Sequence, residues 1–134
     1  MKLNEITHEI IRAAMTVHSY LGPGLLENVY QICMESELRQ VGLDFASQVS
    51  MPINYKGLLL DSAYRMDFLV AGEVVVELKA VEKLLPIHEA QLFTYLKLSG
   101  KKIGLIINFN SLHLKDGIKR MVNNLPESED LPIP

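Results

Sequence analysis

Cysteine is almost absent from this chain of 134 residues, because Cys33 is the only one. A single cysteine cannot form an internal disulfide, so a disulfide-stapled secreted scaffold is excluded and a cytoplasmic location is predicted. No Cys-x-x-Cys pair or Cys/His cluster is present, which argues against a structural zinc site. The apolar runs fall far below the ~18 residues of a membrane span. Glu5 and Glu9 interrupt the N-terminus, so no signal peptide is expected.

A strong charge of either sign is also missing. The formal net charge is −3, and Glu127, Glu129 and Asp130 lie in the last nine residues. Without them the 16 acidic residues fall to 13, equal to the 13 basic ones. The second half nevertheless carries a basic sector with a single acid, which charge alone assigns to ordinary solvated surface. Its members are Lys97, Lys101, Lys102, Lys115, Lys119, Arg120 and the acid Asp116.

Composition predicts one folded domain with a short tail. Hydrophobic residues make up 49% and charged residues 22%, values typical of a globular domain. Residues 126–134 hold three of the six prolines and three acids, and they are predicted to be a flexible acidic tail. Residues 1–125 are predicted to form the single domain.

Hydrophobic periodicity predicts helices packed against a sheet, in an α/β or α+β fold. Residues 112–124 fit either a short strand or a last helix. The predicted helices cover residues 5–20, 25–41 and 86–98, and the predicted strand segments cover 45–53, 58–60, 64–70, 74–80 and 103–107.

Residues 64–80 form the most informative segment, a predicted hairpin. Because side chains alternate along a strand, the core face should carry Val74, Val76 and Leu78. Glu77 and Lys79 then share the opposite face.

The preceding strand is predicted to alternate in the same way. Met66, Phe68 and Val70 are expected on one apolar face, with Arg65 and Asp67 on the other. The relative position of the two strands then depends on the length of the turn between them.

A turn of three residues, 71–73, pairs Val70 with Val74 and places Asp67 across from Glu77, whereas a two-residue turn separates the two acids. Two carboxylates that close repel each other unless a proton or a cation lies between them. An all-oxygen site of this kind suits Mg²⁺ or Mn²⁺. A solvated network of charges on the strand face explains these residues equally well.

The next helix favours the site over the charge network. Gln91 and Tyr95 are four residues apart and so share one helix face. An amide and a phenol in register, soon after an acid-x-lysine strand, form a more specific pattern than either residue alone.

These residues together resemble the GxxExxY protein family, a branch of the PD-(D/E)xK nuclease superfamily. The Gln-x-x-x-Tyr element is similar to one in RecB-type exonucleases, and one departure is that Met66 stands where the superfamily's name has proline. The resemblance implies a mixed sheet of about four strands flanked by helices, with Mg²⁺-dependent phosphodiester cleavage. The matching blocks are Gly24-Leu25-Leu26-Glu27-Asn28-Val29-Tyr30, Arg65-Met66-Asp67-Phe68-Leu69-Val70, Glu77-Leu78-Lys79 and Gln91-Leu92-Phe93-Thr94-Tyr95-Leu96.

The resemblance also implies a role for each site residue. Asp67, Glu77 and the main-chain carbonyl of Leu78 would hold the cation, and Glu27 resembles the additional acidic ligand of such nucleases. Lys79 would act on the attacking water and on phosphate charge. Gln91 would position the water or the phosphate. Tyr95 would contact the substrate or brace Gln91, and His18 and Tyr30 would support the site. Separately from the resemblance, three members of the basic sector are predicted to contact substrate phosphates: Lys97, Lys101 and Lys102.

Several alternatives stay open at this stage. Glu27 also fits an ordinary helix-start acid, and Tyr30 and His18 also fit purely structural roles. The expected partner is nucleic acid, DNA in particular, with no membrane and with a homodimer or a protein partner as further options. The alternative function is a nuclease-fold module of little or no activity that binds nucleic acid or a protein.

Overall fold

The computed structural model describes residues 1–125, except for the side chain of Ser62, and the predicted tail of residues 126–134 lies outside them. Within these described residues two helices precede three strands, a third helix and two more strands follow, and a short 3₁₀ turn, Leu114–Gly117, precedes the last strand. The helices are α1 (Leu3–Leu21), α2 (Glu27–Gln40) and α3 (Pro86–Ser99), and the strands are β1 (Phe45–Tyr55), β2 (Leu58–Val70), β3 (Val74–Lys79), β4 (Ile103–Asn108) and β5 (Ile118–Val122).

The sheet has the order β1-β2-β3-β4-β5, with β3 and β4 parallel and every other neighbouring pair antiparallel. This confirms the predicted mixed sheet flanked by helices. It contains five strands rather than about four, because the ambiguous residues 112–124 include β5. The segments 58–60 and 64–70, predicted separately, form one strand, β2.

Two hydrophobic cores lie on opposite faces of the sheet. One contains the buried face of α1 and α2 together with Val74, Val76 and Leu78, as predicted for β3. The other contains Leu92 and Leu96 of α3 with Val75. The three helices therefore cover both faces of β3 and β4, whose side chains form near-continuous apolar runs.

Strand β2 changes faces at Asp67, which corrects one prediction. Phe68 and Val70 pack in the core beneath α1 and α2, but Met66 packs in the core beneath α3. The predicted single apolar face of all three residues is therefore wrong. On β1, Gln48 lies between the residues paired with Phe68 and Met66, and its φ of 53° breaks the alternation there.

None of the helices in residues 1–125 combines the length and apolarity that crossing a bilayer requires.

Candidate active site

The pairing of β2 with β3 stops before the end of β3 that lies away from the turn. Val70 pairs with Val74, which confirms the three-residue turn, and the paired residues extend to Phe68 opposite Val76. One step further, where Asp67 and Glu77 follow in register, the Asp67 carboxylate Oδ2 accepts the main-chain N–H of Leu78 at 2.7 Å. A side chain thus takes the place of a backbone acceptor on β2. The gap between the strands is lined by the two acids.

Glu77 is a buried acid without a full set of partners. Its side chain is 8% exposed, and Oε1 has no hydrogen-bond partner among the described residues. Burial, followed by the charge of the neighbouring Asp67 carboxyl and a side-chain hydrogen bond with it, raises the pKa of Glu77 to about 9. Lys79 acts in the opposite direction on this pKa. Without a cation, the pair therefore holds a proton at neutral pH.

Glu27 faces the same charges from the start of α2. It is the first residue of that helix and its side chain is exposed. Partial burial and the charge of Asp67 raise the pKa of the Glu27 carboxyl, while Lys79 lowers it. The start of α2 and the strands β2 and β3 therefore place three acids and one lysine within electrostatic reach of one another.

Helix α3 adds a phenol to this group. The pKa of Tyr95 is raised by burial first and then by the charges of Glu77 and Asp67, while a hydrogen bond with Gln91 lowers it. The ring of Tyr95 stacks on that of Tyr64 with centroids 4.4 Å apart. Gln91 itself is exposed. The predicted Gln-x-x-x-Tyr pair thus shares a helix face, and its tyrosine lies beside the acids.

Asn108, which sequence reasoning did not single out, fixes the chain after Lys79. It is 3% exposed, and its amide accepts the N–H of Val81 at 3.1 Å and donates to the carbonyl of Val81 at 2.9 Å. The N–H of Phe109 donates to the carbonyl of Lys79 at 2.9 Å. A polar residue at the end of the apolar run of residues 103–107 was the signal available in the sequence.

The predicted supporting residues have structural contacts. His18 Nε2 lies 2.7 Å from the carbonyl oxygen of Ser111, which joins the end of α1 to the loop after β4. Tyr30 is fully buried; its hydroxyl donates to the carbonyl of Gly22 and accepts the N–H of Leu25.

The structure does not bring the predicted substrate lysines to the acids. Ile103 pairs with Val74, so Lys101 and Lys102 lie at the turn end of the hairpin, opposite Lys79. The Nζ of Lys101 donates to the carbonyl of Gly72 in that turn at 2.8 Å. Lys97 and Lys102 line one depression with residues 123 and 124.

The residues at the gap fit a divalent cation in part. The unpartnered oxygen of Glu77, the adjacent Asp67 and the Leu78 carbonyl, which faces the same side of β3 as its N–H, are hard oxygen donors. Within residues 1–125, however, no three His, Cys, Asp or Glu side chains form a group that could hold a metal ion. Glu27 is thus an electrostatic neighbour of the acid pair rather than part of an assembled three-ligand set.

The raised pKa of Glu77 predicts the pH dependence of stability without metal. The folded protein retains a proton that the unfolded chain releases above its ordinary pKa of 4.5, so stability should fall as pH rises from about 4.5 to about 9. Each unit of such a shift corresponds to about 1.4 kcal/mol. Thermal unfolding in EDTA across this range should show the fall, and Glu77→Gln should flatten it. An equally steep fall in the variant would assign it to other groups.

Comparison with known proteins gives a family and a fold. The sequence model of a family described as the PD-(D/E)XK nuclease superfamily matches residues 4–121. No curated protein gives a significant match. The solved structures that resemble the chain include one titled "Crystal structure of SSO0001", with a TM-score of 0.55 at 20% identity. The matched region covers 93% of this chain and 64% of the solved chain, so this chain spans less than two thirds of the length of the solved chain. A likeness at this identity concerns the fold alone.

Proposed function

The chain belongs to the PD-(D/E)XK nuclease superfamily, and from this premise we propose that it is a nuclease of the GxxExxY branch that hydrolyses phosphodiester bonds, of DNA in particular, with Mg²⁺ or Mn²⁺. The observation that carries the proposal is the buried, unpartnered oxygen of Glu77 beside Asp67, at the gap where β2 and β3 separate. A buried carboxylate pair is costly in an ordinary strand. It is useful where a cation is to be bound.

The cation would be held by a small set of oxygens. Asp67 and Glu77 would supply carboxylates, Leu78 its main-chain carbonyl, and Glu27 a further carboxylate. When bound, a divalent ion supplies Lewis-acid polarisation of a phosphate and a more acidic water. Because Glu77 must lose its proton to become a ligand, cation affinity should rise with pH.

The other side chains would act on the substrate directly. Lys79 shares a strand with Glu77, two residues further, so its ammonium lies on the same face and would hold the attacking water and offset phosphate charge. Gln91 would orient the water or a phosphate oxygen. Tyr95 would contact the substrate.

The position of the basic sector predicts a dependence on substrate length. Lys79 pairs with Asn108 of β4, and Lys102 lies six positions before Asn108. This separation is about 20 Å at ~3.3 Å per residue. A nucleic-acid strand advances ~3.4 Å per nucleotide, so only substrates of about six nucleotides or more would reach both ends. Lys97→Gln with Lys102→Gln should therefore weaken binding of a 12-nucleotide strand at low salt and reduce its salt dependence, but leave a dinucleotide unaffected.

A matched pair of exposed basic residues outside the basic sector provides the control for that result. Lys56→Gln with Arg12→Gln removes the same charge from the tip of the β1–β2 hairpin and from α1, and should change binding of the 12-nucleotide strand far less. Equal weakening by both double variants would mean that only net charge matters.

The proposal is tested by incubation with single- and double-stranded DNA and RNA, with free and blocked ends, in Mg²⁺ or Mn²⁺. Cleavage of one of them, stopped by EDTA, is expected. The alternative, a binding module of little or no activity, draws on the lack of an assembled three-ligand group in the described residues. Binding without cleavage, unchanged in Lys79→Ala, would favour that alternative.

A further inference from the structure

The hydroxyl of Tyr30 closes the turn that leads into α2. It donates to the carbonyl of Gly22 at 2.7 Å and accepts the N–H of Leu25 at 3.1 Å. Both partners lie before the helix, whereas Tyr30 lies within its first turn. A single phenol thus ties the helix to the segment that immediately precedes Glu27.

Besides the Tyr30 hydroxyl, backbone hydrogen bonds hold the two ends of this turn: the N–H of Gly22 donates to the carbonyl of His18 at 2.8 Å, and that of Val29 to the carbonyl of Leu26 at 3.1 Å. Leu26, the N-cap residue of α2, provides no side-chain hydrogen bond to the helix start, and it is 75% exposed. Gly22 and Gly24 have φ values of 75° and 98°, so the chain between them follows a path that favours glycine. Helix starts normally rely on a side-chain acceptor for their first N–H groups. Here the side-chain hydrogen bond falls just before the helix, where the Tyr30 hydroxyl accepts the N–H of Leu25.

The same tyrosine is joined to the backbone of Lys79. Its ring stacks on Phe109 with centroids 4.5 Å apart and an interplanar angle of 9°. The N–H of Phe109 donates to the carbonyl of Lys79 at 2.9 Å. The contacts therefore run without a break from the turn before Glu27, through Tyr30 and Phe109, to the strand that carries Glu77 and Lys79.

We infer that Tyr30 is a positioning residue, which fixes the backbone that leads into Glu27, the acid within electrostatic reach of Asp67 and Lys79, and so sets the affinity of the site for a divalent cation. This inference rests on the proposed function. It assigns a reason to the three-residue spacing of Glu27 and Tyr30: the acid begins the helix, and the tyrosine, one turn later, reaches back to fix its start.

A double-mutant cycle with Mn²⁺ alone tests the inference. The full chain and its variants Tyr30→Phe, Glu27→Gln and the combination of both are titrated with MnCl₂ by isothermal calorimetry. Tyr30→Phe preserves the ring stack and removes only the hydroxyl. Each single variant should weaken Mn²⁺ binding by about 10-fold, the scale found for groups that orient metal ligands. The double variant should bind as Glu27→Gln does, because Tyr30 acts through Glu27.

A control variant separates positioning from ordinary stability. Thr7 is a buried residue of α1 whose hydroxyl donates to the carbonyl of Asn4 at 3.0 Å. Thr7→Val removes a comparable hydrogen bond far from the acids, so it should lower the melting temperature in EDTA without changing Mn²⁺ affinity.

Three outcomes would overturn the inference. Unchanged affinity in Tyr30→Phe, or the same loss in the Glu27→Gln background as in the parent, would leave Tyr30 a structural residue while the proposed function stands. Absence of Mn²⁺ binding by the parent chain would overturn both.

Discussion

Replacement of Lys79 by alanine is expected to abolish cleavage of nucleic acid while Mn²⁺ still binds. The carboxylates of Asp67 and Glu77 would hold the cation, whereas Lys79 lies two residues beyond Glu77 on the same strand face and would act on the water and the phosphate charge. Loss of one such electrostatic partner typically lowers the rate by about 10²–10³. Single-turnover cleavage and MnCl₂ titration of the same preparation measure the two properties separately.

Lys83 provides the matched control for this variant. It is an exposed lysine in the loop after β3, four residues beyond Lys79, and its replacement by alanine removes the same charge. Lys83→Ala should retain most of the activity. Similar activity in Lys79→Ala and the parent would remove Lys79 from the proposed mechanism. A separate expectation is that Ca²⁺ supports cleavage poorly, because its coordination is looser than that of Mg²⁺.

The second large effect is expected on the free energy of unfolding when Mn²⁺ is added. Mn²⁺ that binds only the folded protein should stabilise the parent by about 2.7 kcal/mol at 100 times its dissociation constant. Asp67→Asn and Glu77→Gln should each lose this gain because each removes a ligand. Both variants should be at least as stable as the parent in EDTA at neutral pH, because Glu77→Gln removes, and Asp67→Asn reduces, the cost of keeping the buried Glu77 carboxyl protonated above its ordinary pKa.

An acid outside the site shows whether the loss is specific. Glu73 is exposed in the turn between β2 and β3, and Glu73→Gln makes the same change of side chain, from glutamate to glutamine, as Glu77→Gln. It should retain the full Mn²⁺-dependent rise in melting temperature. If Glu77→Gln and Asp67→Asn also retained the rise, the cation would bind elsewhere.

The fold was largely predictable because its signals are local. Helices with one apolar stripe and apolar β-strands bounded by glycine turns are visible in a single sequence, and the three-residue turn sets the register of Val70 and Val74. The register in turn brings Asp67 and Glu77 to neighbouring positions. Residues 112–124 stayed ambiguous because β5 has five residues, too few to distinguish a strand from a helix by periodicity.

The predictions that were wrong, and the residues that were missed, depend on contacts between parts of the chain that are distant in sequence. Alternation predicted Met66 and Phe68 on one face, but β2 changes faces between them, next to Gln48 of β1, whose positive φ breaks the alternation of that strand. The basic sector is contiguous in sequence, yet α3 carries the chain back along the sheet, so Lys101 and Lys102 enter β4 at the end opposite Lys79. The contacts of Tyr30 and Asn108 join residues that a linear pattern does not relate.

A crystal of the chain soaked in Mn²⁺, with data collected at the manganese absorption edge, tests the central claim most directly. The account predicts an anomalous peak between the carboxylates of Asp67 and Glu77, with the Leu78 carbonyl among its ligands at ~2.0–2.6 Å. A well-diffracting soaked crystal with no anomalous peak between Asp67 and Glu77 would contradict it.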